Sequence, residues 1–413
     1  MKKTLLVLTA GLALYATSCS KSTTETKATP ETVAQNKQTM ETAGVDFVNE
    51  LNAMKDSKSM TAIKNLSSLN IKLKSSLPFS GIIDAILSGS QSGTLKALKS
   101  GLNVDSALQT VYGTYTYVAA VDSFSSAKGG NYLSIKFPSD STKTTNNAEI
   151  KVYDVAFTTV SSTEVPYTSI LTSAKAYLKI DGSDVITYTL TAAYDSDGLP
   201  TSLSTSLAID TYSFNYDFSH SSTKLKSDMS IKNGTKMLLA EGMEFNGTVT
   251  LAKAKEIETY YKDTTNKDNL TKVGEFVEAA TVYYQVMDIK IIGSVDALNF
   301  TKSFDALSKT DKDNFNQKDA DIVNKYCSLY AIFSSTNKKI ADVSIYPKTV
   351  DKLNYAGQAT GQTEINPALM LTFPDGSKSD LQTYIDDPNN FKSVKDDLQK
   401  FADELNGKTT AKN

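Results

Sequence analysis

Residues 212–218 read Tyr-Ser-Phe-Asn-Tyr-Asp-Phe, an unbroken alternation of aromatic and polar side chains. Successive side chains of a β-strand point to opposite faces, so this pattern predicts a strand with one aromatic and one polar face. Because apolar surface is driven out of water, we expect Phe214 and Tyr216 to be buried against helices. Ser213, Asn215 and Asp217 are expected to contact solvent.

The same period of two continues on both sides of this stretch. Apolar residues alternate with polar ones in several further runs, namely Leu133, Ile135 and Phe137; Tyr153, Val155 and Phe157; Ile186, Tyr188, Leu190, Ala192 and Tyr194; Leu203, Leu207 and Ile209; and Leu225, Met229 and Ile231. Turn signals at 195–200 and at Asn233-Gly234 separate some of these runs. Sequential strands joined by short turns form an antiparallel meander, and we assign residues 111–250 to an antiparallel β-sheet region.

The regions flanking the sheet have the rhythm of helices. Apolar residues recur at steps of three around Val48 and Leu66, so residues 41–110 are predicted to form an N-terminal helical segment. Residues 251–413 are expected to mix both structures, with helices at 251–280, 319–333 and 391–405 and strands at 281–292, around Ile340 and around Leu371. For 281–292, a buried helix is the alternative. The sequence therefore predicts an α+β protein in which a large curved antiparallel sheet packs against N-terminal and C-terminal helices.

The first nineteen residues are predicted to direct export of the protein. Lys2 and Lys3 precede an apolar run at 5–14 that is too short to span a bilayer, and small residues at 16–18 precede Cys19. This pattern predicts a signal peptide at 1–18 and resembles the lipobox of bacterial lipoproteins. The resemblance implies cleavage before Cys19, diacylglyceryl attachment to the Cys19 sulfur and N-acylation; two or more chains anchor a protein firmly. The alternatives are a secreted protein with a chance cysteine and an uncleaved transmembrane helix.

Residues 19–40 are predicted to be a lipidated flexible tether, since Ser, Thr, Lys and Glu dominate them and little apolar surface is available to bury. In lipoproteins of the Bacteroidota type, an acidic cluster directly after the cysteine often marks export to the cell surface. Residues 20–24, Ser-Lys-Ser-Thr-Thr, contain no such cluster. We therefore expect an outer-membrane location facing the periplasm, with the cell surface as the alternative.

A second resemblance covers residues 105–300. Gly113-Thr114-Tyr115, the strand at 132–138, the run ending in Gly198-Leu199-Pro200, and residues 289–293 are similar to uncharacterised cell-envelope lipoproteins of the Bacteroidota. The similarity is one of strands and turns. It implies an envelope location and a large sheet, and it carries no functional residues.

The composition argues against nucleic-acid partners. The net charge is −3, and all 43 basic residues are lysines, so the planar fork with which arginine binds phosphate is missing. Of the two cysteines, Cys327 has no intrachain partner if Cys19 is acylated. We expect Cys327 to be a buried structural thiol on the apolar side of a helix. The single histidine, His220, is expected in a hairpin turn.

No motif predicts a catalytic, metal-binding or cofactor-binding residue. The chain has no P-loop, nucleophile elbow or dinucleotide fingerprint, and one free cysteine with one histidine cannot provide a zinc site. Asp195-Ser196-Asp197-Gly198 resembles the start of a calcium loop, but Ser206 occupies the position of the closing glutamate, so a turn is predicted. A hydrolase with paired carboxylates remains the enzymatic alternative, although tryptophan platforms for sugars are missing.

One modification motif is present. Some Bacteroidota glycosylate the Ser or Thr of triplets in which it follows Asp and precedes a small or apolar residue. Ser106, Ser141 and Thr264 fit this pattern.

We therefore predict a non-catalytic, lipid-anchored envelope lipoprotein that uses no cofactor. Its sheet and helices are expected to bind or carry an apolar ligand or a partner segment. The alternative is a structural or assembly lipoprotein of the outer membrane with a filled core, and a carboxylate-based hydrolase ranks third. The sequence leaves the oligomeric state open.

Overall fold

The computed structural model describes residues 32–55, 57–69, 109, 111–159, 169–262, 271–307, 315–353, 359–387, 392–396 and 399. The predicted signal peptide at 1–18 lies outside the described residues, as do Cys19, Ser106 and Thr264. Residues 70–108 of the predicted N-terminal helical segment lie outside them too, as does most of the predicted helix at 391–405.

Within the described residues, sixteen strands form one sheet. They are β1 (Gly113–Val118), β2 (Ser123–Lys128), β3 (Leu133–Phe137), β4 (Ala148–Thr159), β5 (Ser169–Ile180), β6 (Ser183–Tyr194), β7 (Pro200–Ile209), β8 (Tyr212–Ser221), β9 (Lys224–Asn233), β10 (Lys236–Gly247), β11 (Val277–Val286), β12 (Ile289–Asp296), β13 (Cys327–Phe333), β14 (Lys339–Leu353), β15 (Ala359–Thr372) and β16 (Lys378–Asp380).

The sheet is a meander from β3 to β16, because each strand lies beside its neighbours in the sequence. At the other end, β1 is inserted between β3 and β2; it is antiparallel to β2 and parallel to β3. The predicted α+β class and its large antiparallel sheet are confirmed. The parallel pair is a feature that the alternating pattern does not predict.

Helices precede the sheet, interrupt it and follow it. They are α1 (Val33–Lys55), α2 (Lys58–Ser68), α3 (Leu251–Lys262), α4 (Thr271–Phe276), α5 (Ala297–Asp305), α6 (Gln317–Tyr326) and α7 (Leu381–Asp386). The start of α2 is capped by Ser57, which accepts a hydrogen bond from the Met60 amide, and Asn316 forms a capping box with Asp319 at the start of α6. None of the described helices is long and apolar enough to cross a membrane.

The predicted boundary between the tether and the helical segment shifts toward the N-terminus. Helix α1 begins at Val33 and therefore includes the last residues of the predicted tether 19–40. Val33 and Met40 of this helix pack against an apolar cluster of the sheet, and this packing offsets the low apolar content of the sequence around them.

Turns form where the sequence predicts them. Gly234 follows β9 with φ 55°, and Asp181 and Asp210 adopt φ values of 51° and 53° in two other tight turns. Positive φ suits the twist of short hairpins and is tolerated by Gly, Asn and Asp. The Asp195 carboxylate accepts hydrogen bonds from the amides of Asp197 and Leu199, both at 2.9 Å, so this stretch is the predicted turn.

The chain divides into two compact units, of which the first comprises residues 50–220 and 228–236. Its core lies on one face of β3–β6 and under α2. Leu133, Ile135 and Phe137 are at most 1 % exposed, and Ala62 and Leu66 of α2 belong to the same cluster. On the other face Thr187, Thr189 and Thr191 are exposed, as the alternation of β6 predicts.

The second unit comprises the described residues of 1–49, 221–227 and 237–413. Three apolar clusters stabilise it. The first includes Phe333, Ile340 and Leu371 with Val33 and Met40 of α1; the second joins Val277, Ala280 and Val295 to Ala297 of α5; the third joins Ala320 and Val323 of α6 to Ile345. These clusters hold the helices on the sheet.

The prediction of a helix at 319–333 is wrong for its second half. Helix α6 ends at Tyr326, and Cys327 begins β13, which pairs with β12 and β14. Cys327 therefore lies at the start of a strand and not on a helix. Because Leu329, Ala331 and Phe333 also fit a period of two, sheet pairing decides the structure.

Three further predictions need correction. The helical stretch predicted to reach residue 280 ends at Phe276, where β11 begins at the next residue. The single strand predicted at 281–292 belongs to two strands, β11 and β12, joined by a turn at Met287 and Asp288. His220 lies within β8, and the turn follows at 222–223.

Candidate functional site

The candidate site is an apolar strip across β7 and β8 of the first unit. In the antiparallel register, Leu207 lies opposite Phe214, Thr205 opposite Tyr216, and Leu203 opposite Phe218. Directly paired residues project from the same face of a sheet. We call Leu203, Leu207, Phe214, Tyr216 and Phe218 the aromatic strip.

The aromatic strip continues the core of the first unit toward solvent. Leu203 and Leu207 pack against the buried cluster of β3–β6, because they lie opposite Ala192 and Tyr188 of β6. Tyr188 is only 4 % exposed, and this burial raises its pKa to about 12. The aromatic strip thus lies at the margin of the buried core of the first unit.

The aromatic residues of β8 are not equally covered. Tyr212 is 5 % exposed, whereas Phe214, Tyr216 and Phe218 are only half-buried. The prediction that Phe214 and Tyr216 are buried against helices is therefore wrong. The buried cluster that includes α2 reaches Leu203 and Leu207 but contains none of the three half-buried rings. The alternating pattern correctly predicts which side chains share a face of the strand, but it does not predict how deeply they are buried.

Tyr212 is held at the start of the strip by Glu50 of α1. The Glu50 carboxylate accepts hydrogen bonds from Asn233 Nδ2 at 2.7 Å and Tyr212 Oη at 3.3 Å, and its other oxygen lies 3.1 Å from Lys236 Nζ. The hydrogen bond from Asn233, together with Lys236, holds the pKa of Glu50 below its ordinary value. The side chain of Glu50 is 17 % exposed, so the ion pair is partly shielded from water. This network fixes the ends of β8 and β9 to the helix.

The opposite face of β7 and β8 is polar and internally paired. Ser204 Oγ donates to Asp217 Oδ1 at 2.7 Å, and Ser206 Oγ donates to Asn215 Oδ1 at 2.8 Å. Asp217 is exposed as predicted, whereas Ser213 and Asn215 are half-buried. These short cross-strand pairs stabilise the register of the strands.

This arrangement suits binding better than proton transfer or nucleophilic attack. Half-buried aromatic rings provide a large apolar surface with little side-chain entropy to lose when a second apolar surface covers them. Sequence reasoning found the rings of the strip through their alternation. It missed the Glu50 network, since Glu50 and Asn233 are 183 positions apart and neither lies in a recognisable motif.

Cys327 has the surroundings of a structural thiol. Its side chain is half-buried rather than fully buried as predicted, and it packs among apolar residues of two clusters, including Phe300 of α5 and Val323 of α6. Burial raises the pKa of the Cys327 thiol to about 12, so little thiolate exists at neutral pH. A nucleophilic cysteine requires the opposite shift.

The remaining sequence candidates do not converge on a site. Among the residues that the structure describes, no group of three or more His, Cys, Asp or Glu side chains is placed to hold a metal ion. The Asp195 turn uses its carboxylate for backbone amides, as described above. His220 lies on β8, at the end away from Tyr212.

Ser141 is the one predicted glycosylation residue within the described part of the chain. It lies exposed in a turn, beside Asp140, whose carboxylate accepts a hydrogen bond from the Thr142 amide at 2.8 Å. The hydroxyl is therefore accessible to an enzyme. Ser106 and Thr264 lie outside the described residues.

No protein-family model, curated protein or solved structure matches this chain.

Proposed function

We propose that this protein is a non-catalytic lipoprotein of the cell envelope that is anchored by acyl chains on Cys19 and binds an apolar ligand or partner segment on its aromatic strip. The proposed location is the outer membrane, facing the periplasm. The anchor rests on the cationic start, the short apolar run and the small residues before Cys19.

The half-burial of Phe214, Tyr216 and Phe218 carries the binding proposal. Neighbouring apolar side chains that stay partly open to solvent offer a surface that a second apolar group can cover. The strip begins at a dry core and ends in partly hydrated rings, so an acyl chain or an apolar segment laid across it would extend the core. Each methylene transferred from water would contribute about 0.8 kcal/mol.

A structural or assembly role is the second candidate, and a different observation favours it. The core under α2 is closely filled, since Leu133, Ile135 and Phe137 have at most 1 % of their surface exposed. An interior of this kind leaves little space for a ligand between helix and sheet. In that case the strip would serve only as the margin of the core.

Ligand binding separates the two candidates. Native mass spectrometry of the protein purified from its host should show a co-purifying apolar molecule, and a fluorescent fatty acid, cis-parinaric acid, provides a direct probe. We expect the Phe214→Ala variant to bind the probe several-fold more weakly than the parent. The matched control is Asn215→Ala, on the opposite face of the same strand, which should bind normally. Equal binding by both variants, or none by the parent with nothing co-purifying, would favour the structural role.

The anchor has its own test. Replacement of Cys19 by Ala should move the protein from the membrane fraction to the soluble fraction and abolish labelling by a fatty-acid analogue. The control is Cys327→Ala, which removes the other sulfur and should leave both properties unchanged. Membrane association that survives in the Cys19→Ala variant would contradict the proposal.

A further inference from the structure

Strands β14 and β15 pair with each other far beyond the strands on either side of them. β13 pairs with β14 between Lys339 and Val343, and β16 pairs with β15 between Met370 and Thr372. The pairing of β14 with β15 continues to Leu353 opposite Ala359. We call residues 345–353 and 359–369 the ribbon. In the part of the chain that the structure describes, no strand pairs with either outer edge of the ribbon.

The outer end of the ribbon is open to solvent. Residues 360–365 are all exposed, and Ile365 is 47 % exposed. Unpaired edges of this kind are templates for pairing with another chain, and natural proteins block them by prolines, by charges or by cover. The question is therefore how the edges of the ribbon are protected.

Two prolines face each other at the base of the ribbon. Pro347 of β14 lies directly opposite Pro367 of β15. A hydrogen-bonded antiparallel pair exchanges two N–H···O bonds, and proline has no N–H, so this pair must be of the other kind. In such a pair the backbone nitrogen of each residue points away from the partner strand. Each outer edge of the ribbon therefore lacks a donor at the proline.

Asn324 of α6 protects the adjoining position of one edge. Its Nδ2 donates to the Ile345 carbonyl at 2.8 Å, and its Oδ1 accepts from the Ile345 amide at 2.9 Å. The side-chain amide thus makes the two bonds that another strand would make. Ile345 and Pro347 are two residues apart with no bulge between them. The backbone N–H and C=O groups of Ile345 therefore point away from β15, as the backbone groups of Pro347 do.

We propose that Asn324, Pro347 and Pro367 form an edge guard that keeps the ribbon from pairing with the ribbon of a second copy of this chain. Asn324 closes the β14 edge at Ile345, and the prolines interrupt both edges directly beyond it. The inference stands without the proposed function, because it rests on the strand register, the two prolines and the hydrogen bonds of Asn324.

The test restores the missing donors. A Pro347→Thr and Pro367→Thr double variant provides an N–H at each edge, and sedimentation velocity from low to high micromolar concentration should reveal larger species that the parent does not form. The matched control is Ala368→Thr, which adds the same residue beside Pro367. Because Ala368 lies opposite Tyr346, one position from the proline pair, its N–H points inward and the edge stays unchanged.

A rescue variant separates edge pairing from misfolding. Ile365→Lys in the double variant places a charge on the exposed ribbon and should reverse the self-association. Circular dichroism would verify that each variant is folded; if the double variant is not, the single variants and Asn324→Leu take its place, each opening one guarded position. A folded double variant that sediments like the parent at every concentration would overturn the proposal, as would self-association that Ile365→Lys does not reduce.

Discussion

Strands β3 and β8 have the same alternating pattern but very different surroundings. In β3 all three apolar side chains, Leu133, Ile135 and Phe137, are buried to at least 99 %. In β8 the four aromatic side chains alternate just as regularly, yet only Tyr212 is buried. The two strands show that a period of two predicts which side chains share a face and does not predict whether that face is covered.

The difference comes from a helix that the pattern of either strand cannot reveal. Ala62 and Leu66 of α2 pack into the cluster of β3, and Asn65 Nδ2 donates to the Pro138 carbonyl at 2.7 Å directly after that strand. Among the described residues, β8 is attached to α1 at its start, where the Tyr212 hydroxyl donates to the Glu50 carbonyl at 3.2 Å. Burial therefore follows the position of α2, and the middle of β8 stays half-open.

The largest effect is expected at the covered strand. Phe137→Ala removes a ring with no exposed surface and leaves a cavity in a closely packed core. We expect the free energy of unfolding to fall by about 3–5 kcal/mol, measured by urea denaturation followed by circular dichroism. A loss below about 1 kcal/mol would mean that the core of β3 can collapse or is already loose.

The matching substitution on β8 should lower the free energy of unfolding by a smaller amount. Phe214→Ala removes a ring that is half-buried and therefore already partly hydrated, so we expect a loss of about 1–2 kcal/mol in the same experiment. Asn215→Ala, on the polar face beside it, loses one hydrogen bond from Ser206 and should cost about 0.5–1 kcal/mol. If Phe214→Ala destabilises as strongly as Phe137→Ala, the strip is fully covered and the comparison between the strands fails.

The attachment of β8 and β9 to α1 through the Glu50 carboxylate should be sensitive to pH. Glu50→Gln removes the charge that accepts from Asn233 and pairs with Lys236, and we expect a loss of about 1 kcal/mol at neutral pH. Because the pKa of Glu50 is lowered in the folded state, its stabilisation is present above the unfolded pKa of about 4.3 and is lost as the pH falls through the folded value. The difference between parent and variant should therefore shrink on acidification.

The titration of a second carboxylate, Asp380, does not disturb this comparison between parent and variant. The pKa of Asp380 is also lowered: burial opposes the shift, but hydrogen bonds from Tyr346 and from the Thr383 amide exceed it. This carboxylate destabilises both proteins equally when it is protonated, so its contribution cancels in the difference between parent and Glu50→Gln. A difference that grows toward low pH would contradict the assignment of the charge to Glu50.

The features that the sequence predicted correctly depend on residues close together along the chain. The period of two assigned the faces of β3, β6 and β8, and the Asp and Gly residues of short turns marked where hairpins close, because both signals depend on neighbours along the chain. The α+β class followed from these local signals together with the helical rhythm at the two ends.

The remaining features depend on contacts between distant residues. Residues 327–333 fit a helix or a strand, and pairing with β12 and β14 makes them a strand that begins at Cys327. The Glu50 network and the capping of Ile345 by Asn324 join positions with no shared motif. The sequence by itself therefore determined the local periodicity, the turns and the class of the fold, whereas tertiary structure decided burial and the aromatic strip, because burial depends on which distant element covers a face.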